Sequence, residues 1–131
     1  MAGSWDADLT LLHVACEGGS LPADTVANGK AFDVVASVRI GRNLMQFVDS
    51  CDLFVSVRNL SRSCLVARRQ ESHPLAPQDA ALTRQFRLPV DAGWTADEGD
   101  ILEAVAALKV TAGVNPDYSL ARSALFIVSA P

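Results

Sequence analysis

Hydrophobic and polar residues alternate with a period of two over much of the chain, most clearly between residues 32 and 40. Phe32, Val34, Ala36, Val38 and Ile40 alternate there with Asp33, Val35, Ser37 and Arg39. Successive side chains of a strand point to opposite faces, so this run predicts a strand with one face buried. Cys51, Leu53, Val55 and Val57, set against Asp52, Phe54, Ser56 and Arg58, predict a second. Residues 9–15, 64–68, 82–88 and 123–129 supply further strands. Pro89 has no N–H to give to a ladder, so its strand is an edge or ends there. Leu44, Phe47 and Val48 predict an apolar cover built on one helical turn. Turns rich in Gly, Pro, Asn and Ser separate these runs at residues 17–29, 41–43, 59–63, 72–77 and 113–117.

Residues 95–112 admit two readings. As a strand, Leu102, Ala104, Ala106, Leu108 and Val110 share the inner face. As a helix, Thr95-Ala96-Asp97-Glu98 is a capping box, and Leu102, Val105 and Leu108 form a stripe. Gly99 would then fall in the first helical turn, where glycine is a poor helix former. The strand reading agrees better with the neighbouring strands. The expected fold is an all-β, antiparallel sandwich of about seven strands. Its alternative is an α+β fold, a strand meander with a helix at 95–112.

The chain has 131 residues, half of them hydrophobic, with no linker or repeat. It is expected to form one domain, 1–131, with a core of its own. No apolar run is long enough to span a membrane, and the first residues lack the basic and apolar regions of a secretory signal. A cytoplasmic location is therefore expected. Three cysteines, Cys16, Cys51 and Cys64, fit neither a disulfide framework nor a zinc pattern, and buried thiols are expected at all three.

Residues 29–40, Asp52-Leu53-Phe54-Val55-Ser56-Val57-Arg58-Asn59, Gly99-Asp100-Ile101-Leu102-Glu103-Ala104-Val105-Ala106 and residues 123–129 together resemble the successive core strands of bacterial immunoglobulin-like domains. The resemblance implies an adhesive or assembly role. It departs from antibody domains: no Cys–Trp–Cys arrangement is present, and no Tyr stands two residues before a strand Cys. Under the helical reading, Ser56-Val57-Arg58-Asn59-Leu60-Ser61-Arg62 and Thr95-Ala96-Asp97-Glu98 resemble the coat proteins of single-stranded RNA phages. That resemblance implies a shell subunit located in a virion.

Charge adds a second pattern. The net charge is −4, yet residues 39–87 carry +4 and each flanking segment −4. Arg58, Arg62, Arg68 and Arg69 are candidate anion contacts, although few aromatics lie near them to stack on bases. Nucleic acid is the less favoured partner. Asp91, Asp97, Glu98, Asp100 and Glu103 form an acidic group in which Asp97 and Asp100 are weak candidate metal ligands; its spacing does not match an EF-hand loop. His13 and Cys16 lie three apart and would face opposite ways on a strand, which is wrong for a catalytic dyad. No catalytic residue and no cofactor are expected.

The strongest signal is apolar residues on nominally outer faces. Val35, Phe54, Ile101, Val105 and Ala107 fall there, and Leu125-Phe126-Ile127-Val128 is apolar on both faces. Strands apolar on both sides are normally covered on both sides. Val35, Phe54, Ile101, Val105, Phe126 and Val128 are therefore expected to line an interface. The expected function is that of a non-enzymatic module acting by self-assembly, as a homo-oligomer, or by contact with another protein. A viral shell subunit is the alternative, and a small metal-dependent enzyme using the 91–103 acidic loop is the less favoured one.

Overall fold

A computed structural model describes residues 7–131, the side chain of Asn115 excepted. It contains nine strands and one short helix: β1 (Ala7–Cys16), β2 (Thr25–Ala27), β3 (Phe32–Ile40), α1 (Arg42–Met45), β4 (Val48–Asn59), β5 (Cys64–Pro74), β6 (Leu82–Val90), β7 (Ile101–Ala112), β8 (Asn115–Arg122) and β9 (Phe126–Ser129). One sheet is β1-β3-β6. The other is β2-β9-β7-β4-β5, with β8 also pairing β7. All pairings are antiparallel except β2 with β9.

The connectivity is immunoglobulin-like. Taking β8 and β9 as one interrupted strand, the first, second and fifth long strands form the smaller sheet, and the third, fourth, sixth and seventh form the larger. The fourth, β5, lies beside the third, as the extra strands of variable-type domains do.

The alternation legible in the sequence builds the core. Phe32, Val34, Ala36, Val38 and Ile40 face Cys51, Leu53, Val55 and Val57 on β4 and Leu102, Ala104, Ala106, Leu108 and Val110 on β7, all buried. Their packing removes apolar surface from water at about 25 cal/mol per Å². Trp94, between β6 and β7, caps one end. It meets the ring of Phe32 edge-on at 5.7 Å and donates from Nε1 to the Lys30 carbonyl at 2.8 Å. On β1, Leu9 and Leu12 both point inward although three apart, because a bulge between Leu9 and Leu11 shifts the register.

Several expectations change. The helix at 95–112 does not form: β7 begins at Ile101, and residues 95–100 are loop. Gly99 has φ +89°, closed to a right-handed helix. With that helix goes the structural basis of the coat-protein resemblance. The strand at 64–68 runs on to Pro74, so the expected loop begins later. Residues 115–117 belong to β8 rather than to a turn. Leu44 and Met45 of α1 are buried as cover, but Phe47 is exposed. Of the three thiols only Cys51 is buried; Cys16 and Cys64 end or begin edge strands and meet solvent. No helix among the described residues is long and apolar enough to cross a membrane.

Candidate interaction surface

The outer face of the larger sheet is assembled by register. One row across it reads Gln70, Phe54, Ala107, Leu120, from β5 through β4 and β7 to β8. The row on one side reads Arg68, Ser56, Val105, Arg122. The row on the other reads Ser72, Asp52, Lys109, Tyr118. Phe54, Val105 and Ala107 are half-buried at the centre, while Leu120 is 75% and Tyr118 54% exposed. The result is an apolar strip with a charged rim, the make-up of a contact surface. Part of the rim is already ordered: Arg122 Nη2 lies 3.4 Å from Glu103 Oε1, and Ser72 Oγ donates to Asp52 Oδ1.

Phe54 and Val105 thus lie on one face, in adjacent rows. Ile101 shares their face but lies beyond Glu103, beside Ile127 on β9. Val35, Phe126 and Val128 do not belong to the surface, since each is 1% exposed within this chain. β9 turns Phe126 and Val128 into the core and leaves Ile127 outward. Val35 lies on the outer face of the smaller sheet, flanked by His13 and Arg87 in the ladder. Arg87 reaches across that face to Asp33, at 2.7 Å, and to the Gly19 carbonyl, at 2.6 Å. His13 and Cys16 sit on opposite faces, opposite Val35 and Phe32 respectively.

Leu120 and Tyr118 are the residues that pattern reading misses. Their strand is inverted, apolar outward and polar inward. The inward Asp117 and Ser119 accept hydrogen bonds from the backbone N–H groups of Ala7 and Leu9, at 3.3 and 3.0 Å, and so tie β1 across the open side of the sandwich. The signal was period-two alternation with the polarity reversed.

The candidate anion contacts do not converge. Arg58 and Arg68 stand on the outer face, Arg69 on the inner side of β5, and Arg62 in the β4–β5 turn. The opposed charge blocks meet within the chain instead. Arg62 pairs with Asp97 and with Asp100, the latter at 3.3 Å; Arg69 lies 3.9 Å from Asp91; and Arg87 pairs with Asp33.

The same contacts answer for the candidate metal ligands. Asp100 Oδ2 accepts from Asn59 Nδ2 at 2.7 Å and from the Asp97 N–H at 2.9 Å, besides facing Arg62. The Arg62 guanidinium stands where a cation would. Among the described residues no group of three or more His, Cys, Asp or Glu could hold a metal ion. This cluster works as a clasp between the β4–β5 turn and the loop before β7. It is reinforced by Leu60 N–H to the Ile101 carbonyl and Ile101 N–H to Ser61 Oγ, at 2.8 and 3.0 Å.

Cys51 and Asp79 have shifted affinities for protons. Burial pushes the Cys51 thiol up to about 11, the neighbouring Asp52 charge adds to this, and Arg84 opposes it. Hydrogen bonds from Arg42 and Gln46 hold the Asp79 carboxyl below its ordinary value.

No family model matches the sequence, and no curated protein resembles it in sequence. Solved structures resemble it in fold. A Bacteroides fragilis protein described as a beta-galactosidase superposes with TM-score 0.50 at 12% identity, over 88% of this chain and 17% of its own. A beta-glucuronidase of glycoside hydrolase family 2 does so with TM-score 0.50 at 12% identity, over 95% of this chain and 12% of its own. This chain thus spans a small part of either enzyme, and the likeness is one of β-sandwich architecture. The CARDB domain of a Pyrococcus furiosus protein, solved with di-metal ions, aligns over 99% of this chain and 96% of its own at TM-score 0.44 and 12% identity.

Proposed function

We propose that this chain is a non-enzymatic immunoglobulin-like module that acts by protein contact through the outer face of its larger sheet. One observation carries the proposal: Leu120 and Tyr118 project into solvent beside Phe54, Val105 and Ala107, in adjacent rows of one sheet. Isolated exposed apolar residues are ordinary, but a contiguous strip with a charged rim is what protein interfaces are built from. The acidic loop gives an enzymatic reading little support, because its candidate metal ligands Asp97 and Asp100 are engaged by Arg62, Asn59 and the Asp97 N–H.

A photo-crosslinking amino acid placed at Leu120 tests this in the cells that make the chain. Val114 serves as control, being 92% exposed in the β7–β8 turn and outside the strip. A discrete adduct from position 120 and not from 114 is expected. No adduct at 120, or equal labelling from both positions, would overturn the proposal.

A further inference from the structure

We infer that a second copy of this chain adds to the edge strand β5, antiparallel, with Gln70 on a two-fold axis. Among the described residues β5 closes the larger sheet on one side, pairing β4 and no further strand, and none of its residues is buried. A free edge of eleven residues is a template for another strand. The loop after β5 leaves it uncovered: its N–H groups at Leu75 and Gln78 bond to the carbonyls of Asp49 and Met45, past the end of the strand.

Side-chain charge selects the occupant and the register. In a two-fold antiparallel pair, opposed residues share a face, so the axis passes midway between one residue and its own copy. With the axis at Gln70, Arg69 stands opposite Glu71 of the second copy and Glu71 opposite its Arg69. Gln70 meets Gln70, Arg68 meets Ser72, and Ala67 meets His73. Moving the axis to Arg69 or to Glu71 sets like charges directly opposite each other, which destabilises a pair. Arg69 can take such a partner. Its side chain is 39% exposed, and its carboxylate contact within the chain, Asp91, is distant at 3.9 Å. Glu71 lies on the same inner side, two residues along, where its Oε1 meets His73 Nε2 at 3.2 Å. The second copy joins two six-stranded sheets edge to edge and leaves the Leu120 strip open. This contact runs along the free edge of β5, which gives the proposed docking face only its polar rim, whereas the apolar strip comes from β4, β7 and β8, so either can fail alone.

Sedimentation of the full chain across a micromolar dilution series tests the inference. A reversible dimer is expected. Arg69→Glu or Glu71→Arg alone should weaken it about tenfold or more, and the double swap should bring it back to within about threefold. In a background of Cys16→Ser and Cys64→Ser, Gln70→Cys should oxidise to a covalent dimer, because opposed strand positions lie about 4.5–5.5 Å apart. Ser72→Cys, facing Arg68 of the second copy, should not. Leu120→Lys should leave the dimer intact. A monomer throughout, a dimer indifferent to the single reversals, or a double swap no better than the singles would overturn the inference.

Discussion

Leu53 lies at the middle of β4 with no exposed surface, opposite Leu108 of β7. Leu53→Ala should cost about 2–5 kcal/mol in urea unfolding, from lost burial and from the cavity left behind. The cysteines offer a second test at this scale. A thiol reagent added to the native chain should label Cys16 and Cys64 promptly and Cys51 only on unfolding. Cys51 also sets a sign for alkaline pH. Its thiol holds its proton to about pH 11 in the fold, whereas in the unfolded chain it ionises near 9. Its contribution is therefore intact below pH 9 and is lost between pH 9 and 11. Cys51→Ala should flatten that part of a stability-against-pH curve. Asp79 has the opposite sign, its contribution being present above the ordinary carboxylate range and fading as pH falls through its lowered value. Residue identity alone made Cys51 and Leu53 legible as core. It could not separate Phe126 and Val128 from Ile127, because three apolar neighbours look alike until a ladder fixes which of them points inward.

Strands were legible wherever apolar residues alternate against polar ones, as in β3, β4 and β7. They were hidden where the alternation is inverted or polar on both faces. β8 carries Asp117 and Ser119 inward to bond β1, so hydropathy points the wrong way. β5 is an edge with Arg69, Glu71 and His73 on its inner side, so its second half passes for loop. Inward charges on an edge also discourage indiscriminate strand addition, which leaves pairing to a partner of matched charge. The clasp between the β4–β5 turn and the loop before β7 belongs to this scale too. Asp100→Ala strips an acceptor from Asn59, Asp97 and Arg62 at once, and should cost about 1–3 kcal/mol in thermal or urea unfolding. Asp100→Asn keeps one oxygen and should cost less. Ser119→Ala should loosen β1 selectively, seen as faster amide exchange at Leu9 with the rest of the smaller sheet little changed.

For the whole molecule, the charge blocks have a different meaning from the one their sequence suggests. A basic middle flanked by acidic ends reads as complementarity between molecules, but Arg62, Arg69 and Arg87 find Asp97, Asp100, Asp91 and Asp33 in the same chain. Those pairs are partly exposed, so each adds little and salt weakens it. What remains outward on the larger sheet is the strip around Leu120. Position along the chain could not disclose it, because its members come from β4, β7 and β8.

The parallel pairing of β2 with β9 bears on how the chain acquires its structure. Thr25 to Ala27 have their ladder partners at Ile127 to Ser129, roughly a hundred residues later, among the most distant contacts that a chain of this size can make. During synthesis the earlier segment emerges long before its partner exists, and the larger sheet cannot close until the last strand is free. Val26 therefore waits through about a hundred residues of synthesis before its ladder partner Val128 exists. In refolding, protection of amides in 25–27 and 126–129 should appear together and last.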